Sequence, residues 1–397
     1  MARPFAVVND FRLWGVHAMR EWTIQLLRDL VAINSVNPSL VSDGAGEREI
    51  AEQVAMTLRR LGLDVEVAAV APHRPNVVAV LEGRAPGRSL MWCGHLDTVG
   101  VMGMDAPFEP REKEGRLYGR GALDMKGGLA AMIGAARALA QKGGMLRGRV
   151  ILAAVIDEEY ASLGAEALVK AWRADAAVIL EPTDLQIGIA HKGFAWIEVV
   201  TTGIAAHGSR PHEGRDAILR MGRVLQRLES LDRRLQAQPP HPLLGTASLH
   251  ASLIRGGREL STYPDECVLQ MERRTLAGEP PGAALREVEE LLDEARREDA
   301  EFVAHARLLF ERPPYAISPD HELLRQLGTA LTRIGRSPSY VGLSFWTDAA
   351  ILGRAGIPTV VFGPGGAGLH GLEEYVNVDD VLTCVRVLTE LADLFNA

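Results

Sequence analysis

Seven side chains able to ligate a metal ion are spread along this sequence: His95 and Asp97 in GHLDTVG, Asp124 in GRGALDMKGG, Glu158 and Glu159 in VIDEEY, Glu181 in ILEPTD, and His370 in GPGGAGLHG. Imidazole and carboxylate are the N and O ligands that zinc accepts, and one Asp can bridge two ions with one oxygen on each. Two ions so bridged, roughly 3.5–4 Å apart, can polarise a carbonyl and generate hydroxide at neutral pH. Taken singly, each residue has a plainer reading. Asp124 could cap the helical stretch from about Leu129 to Ala140, since Asp is a favoured N-cap. Adjacent acids such as Glu158 and Glu159 are usually a solvated turn.

Their positions set them apart. His95 and Asp97 end the apolar run SLMWCGHLD, Glu158 and Glu159 close RVILAAVIDEE, Glu181 ends AAVILEP, and His370 follows TVVFGPG. Open α/β sheets bind ligands at the carboxyl ends of their strands. On a strand the i, i+2 spacing of His95 and Asp97 puts both on one face. Glu158 and Glu159 diverge on an extended segment, so one can ligate while the other serves as a general base tuned by burial and a nearby cation. The glycines around Asp124 imply a backbone that approaches something closely. GPGGAG lacks the Lys-Ser/Thr and the following helix that a phosphate-binding loop needs.

The elements that must position these groups alternate in type. Helices are expected at about 19–34, 48–62, 128–142 and 162–172, and strands near 63–70, 76–83, 89–96, 149–157 and 176–181. That is α/β alternation around a mixed, mostly parallel sheet. From 194 to 310 the order becomes β-α-β-β-α-β, the ferredoxin-like α+β signature. A helix at about 320–334, the strand TVVFG and a final helix at 381–394 return to the first pattern. The expected architecture is a catalytic domain split over residues 1–188 and 311–397, with residues 189–310 inserted as a lid.

In order and wording the motifs resemble the M20 metallopeptidase family, in the branch of acetylornithine deacetylase and succinyl-diaminopimelate desuccinylase, from about Trp22 to Leu394. The resemblance implies a zinc-exopeptidase-like fold and two zinc ions, replaceable by cobalt or manganese. It implies His95 and Glu181 at one ion, Glu159 and His370 at the other, and Asp124 bridging them through a residue followed by a cis peptide bond. Glu158 would take a proton from the water between the metals and pass it to the leaving amine. Asp97 would accept from the ring N–H of His95 and fix its tautomer. The implied reaction is amide hydrolysis of an N-acyl amino acid. A dipeptidase or carboxypeptidase of the same fold is the alternative, and a non-catalytic metal-dependent binding protein the reading from another class.

The lid carries further candidates. A solvated loop histidine is the default for His207 in GIAAHGSRP, but the resemblance implies that it reaches across a lid-lid homodimer interface to the partner's site and donates to the oxyanion. Arg274 in MERRTLAG stands where relatives grip the substrate carboxylate, and a guanidinium fork suits that role. Alternation sends Arg273 to the other face as a surface charge. Relatives commonly have Asn-Val-Ile-Pro before this strand; here it is Ser261-Thr262-Tyr263-Pro264, so Ser261 replaces an Asn that orients substrate. Thr347 and Asp348 in GLSFWTDAAIL either touch a polar substrate end or cap the following helix, and the cap is the preferred reading.

Composition narrows the class. A chain of 397 residues exceeds a single core, the net charge of −8 disfavours nucleic acid, and 47% hydrophobic content is ample for packing. Cys93, Cys267 and Cys384 sit in apolar runs without zinc spacing and read as buried thiols of a reducing compartment. No apolar stretch reaches the ~20 residues of a transmembrane helix. The N-terminal segment, broken by Asn9, Asp10 and Arg12, makes a poor signal peptide. It reads as a floppy extension with Met19 as an alternative start, and the protein as cytoplasmic, acting on a small molecule of amino-acid metabolism.

Overall fold

The computed structural model describes residues 8–142 and 146–396. The chain divides into two compact units, one running to Ile189 and resuming at Ile317–Val341 and Thr347, the other formed by Ala190–Ala316 and Gly342–Trp346.

In chain order the first unit begins with α1 (Val8–Val31), α2 (Arg48–Arg60), β1 (Asp64–Ala71), β2 (Arg74–Glu82), β3 (Ala85–His95), β4 (Arg111–Lys113), β5 (Arg116–Tyr118), α3 (Gly127–Gln141), β6 (Arg147–Val155), α4 (Leu163–Ala171), β7 (Ala176–Ile179) and β8 (Ile187–His191). The second unit follows with β9 (Gly193–Thr202), α5 (Ala217–Gln236), β10 (Ser248–Gly256), β11 (Glu266–Thr275), α6 (Ala283–Glu298), β12 (Val303–Arg312) and β13 (Tyr315–Ala316). The chain closes with α7 (Glu322–Arg333), β14 (Tyr340–Leu343), α8 (Ala349–Arg354), β15 (Thr359–Val361), β16 (Gly366–Ala367), β17 (Tyr375–Asn377) and α9 (Val378–Phe395). Helix α1 is assigned from Val8, and the extension expected before Met19 falls largely outside the residues the structure describes.

The main sheet runs β1-β2-β6-β3-β7-β15-β8. Pairs β6/β3, β3/β7 and β7/β15 are parallel, whereas β1/β2, β2/β6 and β15/β8 are antiparallel. Every residue from Leu90 to His95, Val150 to Val155 and Ala176 to Ile179 is buried, as befits central parallel strands covered on both faces. Helix α2 buries Ile50, Val54 and Leu58, one stripe at four-residue spacing. Helix α3, built largely of Ala and Gly, is buried almost all round between α1 and α9. A small second sheet, β16-β17-β5-β4, has strands too short to leave a period in the sequence.

The second unit is a four-stranded antiparallel sheet in the order β10-β11-β9-β12. Its core joins Ile197, Val199, Leu269 and Met271 of the sheet to Val224, Leu228, Val288 and Leu292 of the two helices. The element order is the β-α-β-β-α-β expected.

Candidate metal centre

Strand register brings the site together. Parallel pairing sets His95 opposite Val155 and Cys93 opposite Ile179, so β3, β6 and β7 end at one edge of the sheet. His95 is the last residue of β3, Glu158 and Glu159 follow β6, and Glu181 follows β7. Asp124 enters from the turn between β5 and α3, and the Asp124–Met125 peptide bond is cis. Gly128, at the start of α3, lets this turn approach β7: a Cβ there would stand 2.2 Å from the carbonyl oxygen of Leu180. His370 enters from the β16–β17 hairpin with φ +57, a left-handed conformation.

The side chains meet at hydrogen-bonding distances. His95 Nε2 is 3.0 Å from Asp124 Oδ1 and 3.3 Å from Glu181 Oε1. His370 Nε2 is 3.4 Å from Asp124 Oδ2 and 3.2 Å from Glu159 Oε2. Asp124 therefore stands between two imidazoles with one oxygen toward each. Ligand atoms of His95, Glu158 and Glu181 lie within 4.8 Å of one another, as do those of His95, Asp124 and Glu159.

Four carboxylates crowd two imidazoles here, and the ionisation of each group records it. Burial and the neighbouring Asp124 push Glu159 up to about 7 and Glu181 up to about 8. Burial, with Glu181 beside it, raises Glu158 well above the usual carboxylate range. For Asp124 burial acts upward, but hydrogen bonds from His370 and His95 outweigh it and hold the group low. The same contacts to Asp124 and Glu159 push His370 up to about 10. One buried oxygen, Glu159 Oε1, has no hydrogen-bond partner. Surplus negative charge, an orphaned buried oxygen and an N/O donor set converging on one place fit divalent first-row ions.

The profile of peptidase family M20/M25/M40 matches residues 91–394, which include every one of these side chains. The chain belongs to peptidase family M20. Among its relatives is an acetylornithine deacetylase of Myxococcus xanthus, 35% identical over 331 residues, or 80% of this chain and 83% of that protein. Another is the N-formyl-4-amino-5-aminomethyl-2-methylpyrimidine deformylase of Bacillus subtilis strain 168, 27% identical over 94% of this chain and 95% of the other. A crystal structure of a dinuclear metal binding M20 peptidase from Bacillus subtilis shares the fold with a TM-score of 0.74 at 19% identity, over 96% of this chain and 100% of that one.

Around this M20 centre the structure revises two readings, for Asp97 and Asp348, and excludes the plainer alternative for Asp124. Asp97 does not clamp His95 with its carboxylate: Nδ1 of the ring donates to the Asp97 carbonyl at 2.9 Å, and the nearer carboxylate oxygen stands at 3.7 Å. Strand β3 stops at His95, so Asp97 lies in the loop beyond the strand alternation. Its carboxylate instead accepts from the backbone N–H groups of Glu158 and Glu159, each at 3.1 Å, and from Asn37 Nδ2 at 2.8 Å. Asp124 caps no helix, since the residue before α3 is Lys126. Asp348 precedes α8 without a side-chain cap bond, and the Thr347 hydroxyl takes the Ala349 N–H at 3.2 Å.

A buried ionic network that the sequence did not reveal lies beneath Glu158. Arg74 donates from Nε and Nη2 to Glu47 at 2.7 and 2.6 Å, and from Nη2 to Asp157 at 2.8 Å. Two residues along β2, Asn76 accepts from Ile156 N–H and donates to the Gly164 carbonyl. The i, i+2 spacing of Arg74 and Asn76 in HRPN was the available signal, but nothing local tells which loop a buried strand end will meet.

The remaining candidates belong to the second unit. The backbone on either side of His207 pairs with Ser261–Tyr263, through Gly208 N–H to the Ser261 carbonyl at 2.7 Å and Tyr263 N–H to the Ala206 carbonyl at 2.9 Å. Both His207 and Ser261 are exposed. Arg274 donates from Nε to Glu272 at 2.6 Å and lies over the Phe194 ring. Arg273 is no surface charge: it is 2% exposed and bound by Glu279 and Glu287. Alternation gave its face correctly, and helix α6 covers that face.

Proposed function

We propose that this M20 protein is a two-zinc deacylase that hydrolyses the amide bond of an N-acyl amino acid. The reading is carried by the meeting of His95, Asp124, Glu159, Glu181 and His370 at one sheet edge beside Glu158. In this reading His95 and Glu181 would hold one ion and Glu159 and His370 the other, with Asp124 available to both. Zinc, with cobalt or manganese as alternatives on the same donors, supplies a Lewis acid for the carbonyl and water of lowered pKa.

The chain's own groups move the proton. Glu158 accepts it from water and delivers it to the departing nitrogen. Burial, with Glu181 beside it, raises this carboxyl well above the usual carboxylate range, the direction that suits a group which must both take up and release a proton. The Asp97 carboxylate holds the amides of both Glu158 and Glu159, so the base and a neighbouring ligand are aimed from one anchor. His207, supplied by a second copy of the chain, would stabilise the oxyanion. In support, Ser209 N–H donates to Nδ1 of its ring at 3.2 Å, which leaves the ring hydrogen on Nε2 as a donor. Arg274, its Nε already held by Glu272, would present its terminal fork to the α-carboxylate, and Ser261 would orient the substrate beside His207.

Dimerisation through the second unit is supported by β10, an edge strand with Leu253 66% and Ile254 56% exposed, since an open apolar edge is a template for pairing. Three buried free cysteines support a reducing, cytoplasmic setting. No helix among the described residues is long and apolar enough to cross a membrane. The deciding experiment measures free amine released from N-acetyl, N-succinyl and N-formyl amino acids and from dipeptides, using zinc- or cobalt-loaded protein. Preference for acyl amino acids is expected; preference for dipeptides would make it a peptidase.

A further inference from the structure

The two ligands nearest the open side of the centre, Asp124 and His370, are joined underneath by one buried ion pair. Strands β5 and β17 are neighbours, with Tyr118 opposite Tyr375, so the segment leading into Asp124 runs beside the end of the hairpin that carries His370. Past the ladder, Gly119 N–H donates to the Glu374 carbonyl at 3.1 Å. The Glu374 carboxylate then collects four donors: Arg120 Nη1 at 2.7 Å and Gly121 N–H at 3.0 Å on Oε2, Leu123 N–H at 2.9 Å and Asp124 N–H at 3.1 Å on Oε1. The other arm of Arg120 donates from Nη2 to the Gly371 carbonyl at 2.8 Å. Arg120 and Glu374 are each 1% exposed.

His370 itself has little else to hold it. Its side chain is 54% exposed and its backbone is left-handed. It rides on a turn closed by Gly371 N–H to the Gly368 carbonyl at 2.9 Å. His95, by contrast, is 1% exposed at the end of a central strand. One ligand is fixed by the sheet, the other by a guanidinium that grips the carbonyl of the residue after it.

We infer that Arg120 and Glu374 are positioning residues that hold His370 against Asp124, and that Arg120 sets the affinity of the ion shared by Asp124, Glu159 and His370 while leaving the ion at His95 and Glu181 unaffected. This rests on the two-metal reading above. Groups behind a metal ligand are typically worth about 10–100-fold in metal affinity. Arg120→Met should remain folded, because Glu374 keeps its three backbone donors while the tie to Gly371 is lost. Glu374→Gln disturbs the amide of Asp124, which both ions share.

The test is calorimetric titration of zinc, and separately cobalt, into metal-stripped wild type and variants, with thermal unfolding recorded alongside. Wild type should bind two ions. Arg120→Met should bind one with wild-type affinity and the second about 10–100-fold more weakly, and Glu374→Gln should weaken both. If Arg120→Met does not fold, Arg120→Lys, which keeps the charge but spans a single acceptor, should show the same selective loss. Equal loss at both sites, or none, in the folded Arg variant would overturn the inference, as would a wild type that binds one ion. A wild type that binds two ions yet cleaves no acyl amino acid would end the deacylase reading and leave this one standing.

Discussion

Two of the buried clusters of charge in this protein are made from similar residues and left in opposite states. In the second unit Arg273 spends its side-chain donors on Glu279 and Glu287 at 3.0–3.3 Å and on the Arg274 carbonyl. In the first unit, Asp124, Glu158, Glu159 and Glu181 crowd around His95 and His370, Glu159 Oε1 has no partner, and three of the four acids are pushed toward their neutral forms. A structural cluster closes on itself, whereas a ligand site keeps the charge and lone pairs that its guest will satisfy. The first should therefore tolerate no loss of a member, and the second should gain from losing an acid when no metal is present.

The largest effect expected lies at the group that holds no ion in the proposed scheme. Glu158→Gln should lower amide hydrolysis by about 10²–10⁴-fold, the usual worth of a general base, while elemental analysis still finds wild-type metal content. Loss of metal together with activity would make Glu158 a ligand and remove it from the proton path. Next comes the closed cluster. Arg273→Met strands Glu279 and Glu287, and breaking a buried pair from one side typically costs 3–5 kcal/mol. Both carboxylates keep some access to water, so about 3 kcal/mol is expected from urea unfolding. A cost below about 1 kcal/mol would mean that Arg273 is no more closed than a surface pair.

Histidines repeat the contrast. Acids hold His370 protonated up to about 10, but His191, buried with Nε2 unpartnered beside Tyr315 and Trp346, is pushed down to about 4 by its burial. A depressed folded-state value means that the unfolded chain binds the proton first. Its contribution is complete above about 6.5 and is lost as pH falls toward 4, by about 3 kcal/mol at 1.36 kcal/mol per unit. His191→Phe should flatten that acid limb in chemical denaturation; an unchanged limb would place the acid sensitivity elsewhere.

Much of this site was legible because strand ends are legible. His95, Glu159 and Glu181 each end or follow an apolar run, and parallel register then had to bring them together. Partners fixed by long-range pairing were not. Arg120 and Glu374 meet because β5 and β17 are neighbours, and those strands span three residues each, below any periodic signal. Asp97 does meet the His95 ring, but through its backbone carbonyl and not the carboxylate that the resemblance implied, and Arg273 was given the wrong depth because alternation assigns a face and says nothing of what covers it.

The smallest effect is the sharpest test of the open cluster. Glu159 and Glu181, raised to about 7 and 8, make the folded protein bind protons that the unfolded chain has already released above its ordinary carboxylate values. Their contribution is therefore complete at low pH and lost as pH rises, and the raised value of His370 acts in the same direction. His191 contributes no slope above about 6.5, so between pH 6.5 and 8 the cluster stands alone in this comparison. Metal-stripped protein should lose stability across that interval, each group adding at most about 1.4 kcal/mol per pH unit. Glu181→Gln should reduce the slope and raise stability at pH 8. Zinc should reverse it, because a metal needs its ligands deprotonated and binds more tightly as pH rises. A metal-stripped protein whose unfolding midpoint is flat from pH 6.5 to 8, and unmoved by Glu181→Gln, would mean that these acids are already compensated and that the two clusters are of one kind.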